Sequence, residues 1–278
     1  MCLDGCMEVI TLMTTYNRKC YTQKCLESIV NDNNKINFSF VVVDDNSNDG
    51  TKEMLNELKE QLNIEIISGS GNLFYSRGMS LGMDYIISKN KDCDYILLVN
   101  DDVSFFENCI EKLVAQSIEQ ENSIIVGATC DSKGILSYSA VKYSKGIKYN
   151  KVPCSEWNIK ADTFNANCVL IPYKAFLEIG AMDKNYIHSL GDFDYGLSYL
   201  RKGYNIYVSK EYVGVCNNNT IEGTWLDTKL SVKERILKKE HIKGSPFKQW
   251  FYFLKKNFGI TRAIFSSITP YIRILLRK

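Results

Sequence analysis

Residues 38–51 read FSFVVVDDNSNDGT, and the fold follows from how this stretch divides. Phe38–Asp45 is a β-branched and aromatic run that ends in two carboxylates. Asp49-Gly50-Thr51 is then a turn feeding a helix start, with Glu53 in the first turn. The same unit recurs on both sides. Strands are expected at Glu8–Thr15, Phe38–Asp45, Ile64–Ile67, Tyr95–Val99 and Ser123–Ala128. Between them Tyr21–Val30, Thr51–Leu62, Ser76–Ser88 and Phe105–Ser117 carry apolar residues three or four apart, the spacing of helices. Repeated strand–helix units predict an α/β fold, a mainly parallel sheet flanked by helices.

Beyond residue 130 the regular alternation stops. Gly134–Tyr149 alternates Tyr, Val and Ile with polar residues, as a hairpin or sheet extension does. Phe164–Ile171 reads as a strand running into Pro172, a good first helical residue, with a helix to about Ile179. A further helix is expected from Asp192 to Lys202, ended by Gly203.

The chain has 278 residues and is 45% hydrophobic, enough to bury a full core, which excludes disordered and fibrous classes. Its longest uncharged runs, 66–76 and 163–173, have eleven residues, whereas a spanning helix needs about twenty apolar ones. No transmembrane helix is expected. Met1–Ile10 contains Asp4 and Glu8 and no basic region followed by an apolar core, so it does not read as a secretory signal, and the expected compartment is the cytosol. Ten cysteines are scattered without paired CxxC spacing and only two histidines accompany them, so they read as reduced thiols filling the core.

The near-neutral net charge of +2 hides two opposed parts. Lys229–Lys278 holds 13 Lys and Arg against 2 Glu, while residues 1–228 hold 21 cations against 30 carboxylates. In this tail Phe247, Trp250, Phe251, Phe253, Leu254 and Phe258 mix with lysines, and Ile264, Phe265, Ile268, Tyr271, Ile272, Leu275 and Leu276 follow among Arg262, Arg273 and Arg277. Basic amphipathic helices of this kind lie in anionic membrane interfaces. The plainer reading is a helix packed on its own domain with a solvated basic face. Nucleic-acid binding is not expected, because the remainder is acidic and no recognised binding motif occurs.

Ligand sites of open α/β sheets lie at the carboxyl ends of the strands. Three polar clusters stand there: Thr15-Tyr16-Asn17-Arg18, Asp44-Asp45-Asn46-Ser47 and Asn100-Asp101-Asp102. Neighbouring carboxylates repel unless a cation or hydrogen-bond donors sit among them. An acidic turn after one strand is commonly only a helix cap, but three in order point to Mg²⁺ or Mn²⁺, which takes one or two carboxylates and completes its shell with phosphate oxygens and water. The ligand implied is a nucleoside diphosphate or triphosphate. Gly69–Gly82, GSGNLFYSRGMSLG, adds Gly-rich backbone and Arg77 for a phosphate. No GxGxxG follows the first strand and no GxxxxGK[ST] occurs, which disfavours dinucleotide binding and P-loop chemistry. Asp192 and Asp194 lie two apart at a helix start, where the helix dipole favours carboxylates and where Asp192 reads equally as an N-cap.

These pieces together resemble the inverting glycosyltransferases of family 2, which have the GT-A fold. The resemblance covers about residues 7–216 in order: ITLMTTYNR (10–18), VVVDDNSNDGT (41–51), GNLFYSRGMSLGM (71–83), YILLVNDDV (95–103), FNANCVLIP (164–172) and GDFDYGL (191–197). It implies a nucleotide-sugar half over about 1–130, an acceptor half over about 131–216, and a basic helical extension over 217–278. It also implies that Thr15, Asn17 and Arg18 line the nucleotide pocket beside Asp45, whose counterpart contacts the base. Asp101 would face the ribose or diphosphate, and Asp102 would ligate the metal. Asp192 would be the general base, with Asp194 its helix-start partner; the family's Glu before that Asp is Gly191 here. The chemistry implied is transfer of a sugar from a nucleotide-sugar donor to a hydroxyl of a glycan or lipid-linked acceptor, often at the cytoplasmic face of a membrane. Trp225 can stack on a sugar and Trp250, Phe251 and Phe253 of the tail can cover an acceptor cleft, though packing in the core is the plainer reading of each. Two rivals are a sugar-nucleotide nucleotidyltransferase, which lacks its Gly-rich basic loop after the first strand here, and a membrane-docked scaffold that has lost the chemistry, against which stand Asp45, Asp102 and Asp192.

Overall fold

A computed structural model describes residues 6–31 and 35–276. In chain order the elements are β1 (Met7–Thr15), α1 (Lys19–Val30), β2 (Ile36–Asp44), α2 (Thr51–Leu58), β3 (Ile64–Ser68), α3 (Phe74–Lys89), β4 (Tyr95–Val99), β5 (Ser104–Phe105), α4 (Cys109–Glu119) and β6 (Ile124–Cys130). There follow β7 (Ala140–Lys145), β8 (Lys148–Lys151), β9 (Lys160–Ala161), β10 (Thr163–Phe164), β11 (Cys168–Pro172), α5 (Tyr173–Ile179), α6 (Gly191–Arg201), β12 (Ile206–Val215), α7 (Val232–Glu240), α8 (Phe247–Phe258) and α9 (Ile260–Leu275).

Among the described residues the main sheet has nine strands, eight in the order β3-β2-β1-β4-β11-β6-β12-β5, with β9 also pairing β12. The pairs β2–β3, β1–β2, β1–β4 and β6–β12 are parallel, and β11 is inserted antiparallel between β4 and β6. The central strands are buried on both faces, which is why they read as continuous apolar runs. In β4, Leu97 and Val99 join the core on one side of the sheet while Ile96 and Leu98 join the core on the other. Helix α3 lies close on β1: a Cβ at Gly78 would collide with Thr14 and one at Gly82 with Leu12, so both positions need glycine.

The structure departs from the sequence reading in three places, the first of which shapes the cleft. The strand expected over Phe164–Ile171 is broken by Asn165-Ala166-Asn167 into β10 and β11, and β10 joins β7 and β8 in a separate three-stranded sheet. Pro172 closes β11 and caps α5 from outside its first turn. The helix expected from Phe105 starts at Cys109, because Ser104 and Phe105 pair with β12. Of the cysteines, Cys25, Cys109, Cys130, Cys168 and Cys216 are buried, Cys6 and Cys20 are exposed, and no disulfide joins the described ones. Cys2 and Arg277 lie outside the described residues.

The basic tail divides. Helix α7 opens with a capping box, Ser231 with Glu234, and buries Arg235 and Lys239. Lys239 Nζ bonds Glu240 Oε1 at 2.7 Å, the Ser245 carbonyl at 2.8 Å and Tyr271 Oη at 3.0 Å. Helix α8 packs Phe253 and Leu254 into a cluster with Val141, Tyr186, Phe193 and Leu197. Its Lys256 bonds the buried Asp194 at 2.7 Å and Asp183 at 2.7 Å, and Asn257 bonds the other Asp194 oxygen at 2.8 Å. Helix α9 packs through Ala263, Ser267 and Ile274.

Pro270 lies within α9 and has no N–H, so the carbonyl of Ser266, four residues earlier, lacks its helical donor. The Trp250 indole N–H of α8 donates to that oxygen at 3.4 Å. We expect Trp250→Phe to cost about 1 kcal/mol through this bond beyond its packing loss. Pro270→Ala should remove that extra cost by restoring the helical donor. Urea unfolding of the two single variants and the double variant measures the coupling, and strictly additive effects would remove the pairing from the account.

Candidate active site

The carboxyl ends of β1, β2 and β4 open into a cleft of about 790 Å³ whose other walls come from β7, β8, the 165–167 break, the start of α6 and the tail. Its floor is an ionic cluster. Arg18, between β1 and α1, donates from Nη1 to Asp101 Oδ1 at 2.9 Å and from Nη2 to Asp102 Oδ2 at 2.8 Å, and its guanidinium lies 5.0 Å from the Tyr21 ring centre. Thr15 and Thr22 share a hydroxyl bond of 2.8 Å, and Thr22 donates to the second Asp101 oxygen at 3.4 Å. Asp102 Oδ1 accepts from the Cys216 thiol at 3.5 Å.

Burial raises the Asp101 pKa to about 6 even though Arg18 pulls it down. Burial opposes the Arg18 charge, but the two aspartates outweigh it and hold the guanidinium above its ordinary value. Burial, helped by Asp102, pushes the Cys216 thiol up to about 12, so it stays protonated as a donor.

Of the two carboxylates Asp102 is the more open to the cleft, with about a quarter of its side chain exposed against 5% for Asp101. No group of three or more His, Cys, Asp or Glu among the described residues forms a metal cage. One exposed carboxylate, with one cation set against two anions, does suit an ion that arrives with a diphosphate and takes most of its ligands from phosphate oxygens and water. Asp102 therefore fits Mg²⁺ or Mn²⁺ of that kind.

Asp45 lines the same cleft, yet its oxygens are spent on the next loop. Oδ1 accepts from the Gly71 amide at 2.7 Å, and Oδ2 from those of Leu73 at 2.8 Å and Phe74 at 3.2 Å. A Cβ at Gly69 would meet both the Asp45 carboxylate and its Cα, so that glycine lets the loop close on the aspartate. The Gly-rich segment thus wraps Asp45 with its first half and packs α3 on β1 with its second. Asp44 is buried and accepts from the Ser47 amide at 3.2 Å.

Asp192 faces the cleft from the start of α6. Oδ1 accepts from the Phe193 amide at 2.9 Å and Oδ2 from the Ala166 amide at 3.3 Å. Burial raises its pKa to about 6, against these amides, which favour the ionised form. Gly191 has a local reason, since a Cβ there would run into Ser76, whose hydroxyl donates to the His188 carbonyl at 2.9 Å. The Glu expected from the resemblance has no room at that position. Leu190 turns the chain at φ 71°, a conformation that costs a non-glycine residue about 1–2 kcal/mol.

The remaining residues singled out in the sequence lie elsewhere. Asn17 is exposed and ties two loops together, taking the Asn48 amide on Oδ1 at 2.7 Å and giving its own amide to Ser47 Oγ at 2.9 Å. Arg77 is exposed on the face of α3 away from the buried Ser76, Gly78 and Met79, outside the residues that line the cleft. Asp194 is turned from the cleft to Lys256 and Asn257 of α8. Trp225 also stands outside the cleft lining, and its carbonyl accepts from Arg235 Nε at 2.8 Å.

Tyr138, Tyr143 and Tyr149 come from the small sheet and the segment before it, His188 precedes α6, and His241 and Lys243 come from the tail; none of these is singled out in the sequence as lining a site. Trp250 and Phe253, expected either to cover an acceptor cleft or to pack in the core, do line the cleft. The apolar–polar alternation of 134–149 was the one available hint for the tyrosines.

Residues 11–172 match the sequence model of Glycosyl transferase family 2. The chain is 27% identical over 142 residues to Glycosyltransferase GlyA of Streptococcus pneumoniae serotype 4 (strain ATCC BAA-334 / TIGR4). That overlap is 51% of this chain and 18% of the relative, so the chain spans only a small part of that protein's length. Among solved structures it resembles S. aureus TarS 1-349 in complex with UDP-GlcNAc, at TM-score 0.57 and 15% identity over 96% of this chain and 81% of that one. The complex of the same protein with UDP gives TM-score 0.57 and 15% identity, over 97% and 81%. At this identity the likeness establishes the fold, a GT-A fold.

The raised Asp192 pKa carries a stability consequence. Its folded value, about 6, lies above the ordinary 3.8, so the folded state binds the proton more tightly, and stability falls as pH rises between the two. Asp192→Asn, neutral throughout, should melt higher than the parent above about pH 6, with the gap closing toward pH 4. Melting temperatures across this range test it; a gap that does not change with pH would refute the burial cost.

Proposed function

The chain belongs to glycosyl transferase family 2, and on that premise we propose that it is a metal-dependent inverting glycosyltransferase. It moves a sugar from a nucleotide-sugar donor to a hydroxyl of a glycan or lipid-linked saccharide, in cell-surface polysaccharide synthesis at the cytoplasmic face of the membrane. The observation that carries the reading is that one cleft holds both Asp192 and the Arg18–Asp101–Asp102 cluster. An inverting transfer needs those two parts together: a base on the acceptor side and charge stabilisation on the leaving-group side.

In this reading residues 1–130 form the donor half and 131–216 the acceptor half, with 217–278 as an extension that adds to the cleft wall. Thr15 and the 71–74 loop, held closed by Asp45, border the nucleotide. Arg18 holds Asp101 and one Asp102 oxygen in place, and the other Asp102 oxygen, which accepts from the Cys216 thiol, would turn to Mg²⁺ or Mn²⁺. The ion, when bound, would act as a Lewis acid toward charge on the diphosphate.

Asp192 accepts the proton of the acceptor hydroxyl while that oxygen bonds to the anomeric carbon. The bond from that carbon to the diphosphate oxygen breaks on the opposite side, and the nucleoside diphosphate leaves with the electron pair, which inverts the centre. The Ala166 and Phe193 amides orient the carboxylate. A base with a pKa near 6 is ionised at neutral pH and still a competent proton acceptor. Tyr138, Tyr143, Tyr149 and Trp250 give the acceptor side aromatic faces suited to sugar rings. UDP-linked sugars are the donors to try first, since the TarS structures hold UDP-GlcNAc and UDP.

Two measurements test the reading. Asp192→Asn should lower kcat by about 10²–10⁴-fold with nucleotide affinity kept. In the parent enzyme kcat should fall on the acid side with an apparent pKa near 6. Retained turnover in the variant would remove Asp192 as base. Separately, a nucleoside diphosphate at one hundred times its Kd with Mn²⁺ should add about 2.7 kcal/mol to stability. That gain should be lost in Asp102→Ala. A gain equal with and without Mn²⁺ would exclude the metal role.

A further inference from the structure

Helix α9 is amphipathic with its faces reversed from the usual arrangement. The residues turned to the protein are mostly small, Ala263 and Ser267 with Ile274. The large ones are turned to solvent: Ile264 is 49% exposed, Phe265 72%, Ile268 51%, Ile272 49%, Leu275 63% and Leu276 60%. At about 100° per residue these six fall within one arc of about 120° on the far side from Ala263. A surface helix in water normally shows the opposite arrangement.

The helix cannot roll to bury that face without breaking contacts already made. Trp250 of α8 holds the Ser266 carbonyl, and Tyr271 bonds both Lys239 and Glu240 of α7.

The charge around the face selects its occupant. Residues 247–278 contain no Asp or Glu. Lys248, Lys255, Arg262 and Arg273 are exposed, and none forms an ion pair among the described residues. A second copy paired through the same face would set cations against cations. An anionic lipid surface supplies both the apolar phase and the opposite charge. No helix among the described residues is long and apolar enough to cross a membrane, so this one lies in the interface plane.

We infer that the outward face of α9 inserts into the interfacial layer of an anionic bilayer and holds the cleft beside the membrane surface. Trp250 and Phe253 of α8 line the cleft, and Trp250 is bonded to α9, so the cleft wall and the inserted face belong to one helical hairpin. The inference deepens the proposed function by naming the surface on which that site works, while insertion itself depends only on α9.

The test is flotation of the full chain with phosphatidylcholine vesicles, with and without phosphatidylglycerol. The comparison is a triple variant, Phe265→Ser with Ile268→Ser and Ile272→Ser, whose substituted side chains are half or more exposed and should leave the melting temperature unchanged. The parent should float with the anionic vesicles, less so at high salt, and the triple variant should partition roughly 100-fold more weakly. A parent chain that stays in the buffer with both vesicle types overturns the inference, as does a variant that floats equally well. A parent that instead forms a dimer dissolved by the three substitutions, without flotation, also overturns it and assigns the face to a second copy. UDP binding measured in buffer without vesicles separates the two readings, since its loss counts against the transferase site and leaves the flotation result standing.

Discussion

Two carboxylates in succession at the end of a buried strand need a cation or hydrogen-bond donors among them, and for Asp101 and Asp102 the cation is Arg18. It reaches from the loop after β1 to the loop after β4, so two neighbouring strand ends are locked at a set spacing. Asp101 is nearly buried and would be expelled or protonated without it. Because Asp101 is fixed through Arg18 and Thr22, its neighbour Asp102 stays in a single place at the cleft wall. The planar fork matters here, since it presents two donors at a fixed spacing, whereas a lysine ammonium is a point charge on a flexible stem.

The other carboxylates of the cleft follow a related rule with backbone amides in place of the guanidinium. Asp45 gathers three amides and thereby shapes the 69–74 loop, and Asp192 gathers two and ties the start of α6 to the 165–167 break. A carboxylate held this way is oriented without losing its charge altogether. The difference between the two lies in what remains. Asp45 accepts three amides of one loop and closes it, whereas Asp192 accepts two and is pushed up to about 6 by burial. The same residue type therefore serves as scaffold at a strand end and fits proton transfer at a helix start.

These differences set how much was legible in the sequence. The strands β1, β2, β4 and β6 could be read because burial on both faces leaves largely apolar runs, while β3, an edge strand with only Ile64 buried, could be read from its isoleucines. Strand β12 could not, because Lys210 and Glu211 are exposed where its register against β6 shifts, and that irregularity erases the alternation. The aspartates stood out because they cluster at strand ends, but which of their oxygens are free depends on loops that close over them. Arg77 was misplaced for want of helical phase, since the buried positions Ser76, Met79, Ser80 and Met83 already put residue 77 on the outer face. Asp194 was joined to Asp192 by its spacing, although residues two apart on a helix point about 200° apart.

The tail shows why a count of charges is a poor guide to where they act. Among the residues that make it cationic, Arg235 and Lys239 are buried, with Lys239 bonding partners inside the tail, and Lys256 bridges two aspartates outside it and so holds the tail to the rest of the chain. Only the cations left over can shape its outer surface. Packing and surface attraction are thus successive uses of one segment: Lys256 and Asn257 seize Asp194 and fix α8, α8 through Trp250 fixes α9, and only then does α9 have an outward face at all. Loss of the Asp194 contacts would leave α8, and the wall that Trp250 and Phe253 give the cleft, held by apolar packing and the Asp183 bonds. The residue that the sequence grouped with Asp192 therefore bears on the cleft from the opposite side of α6.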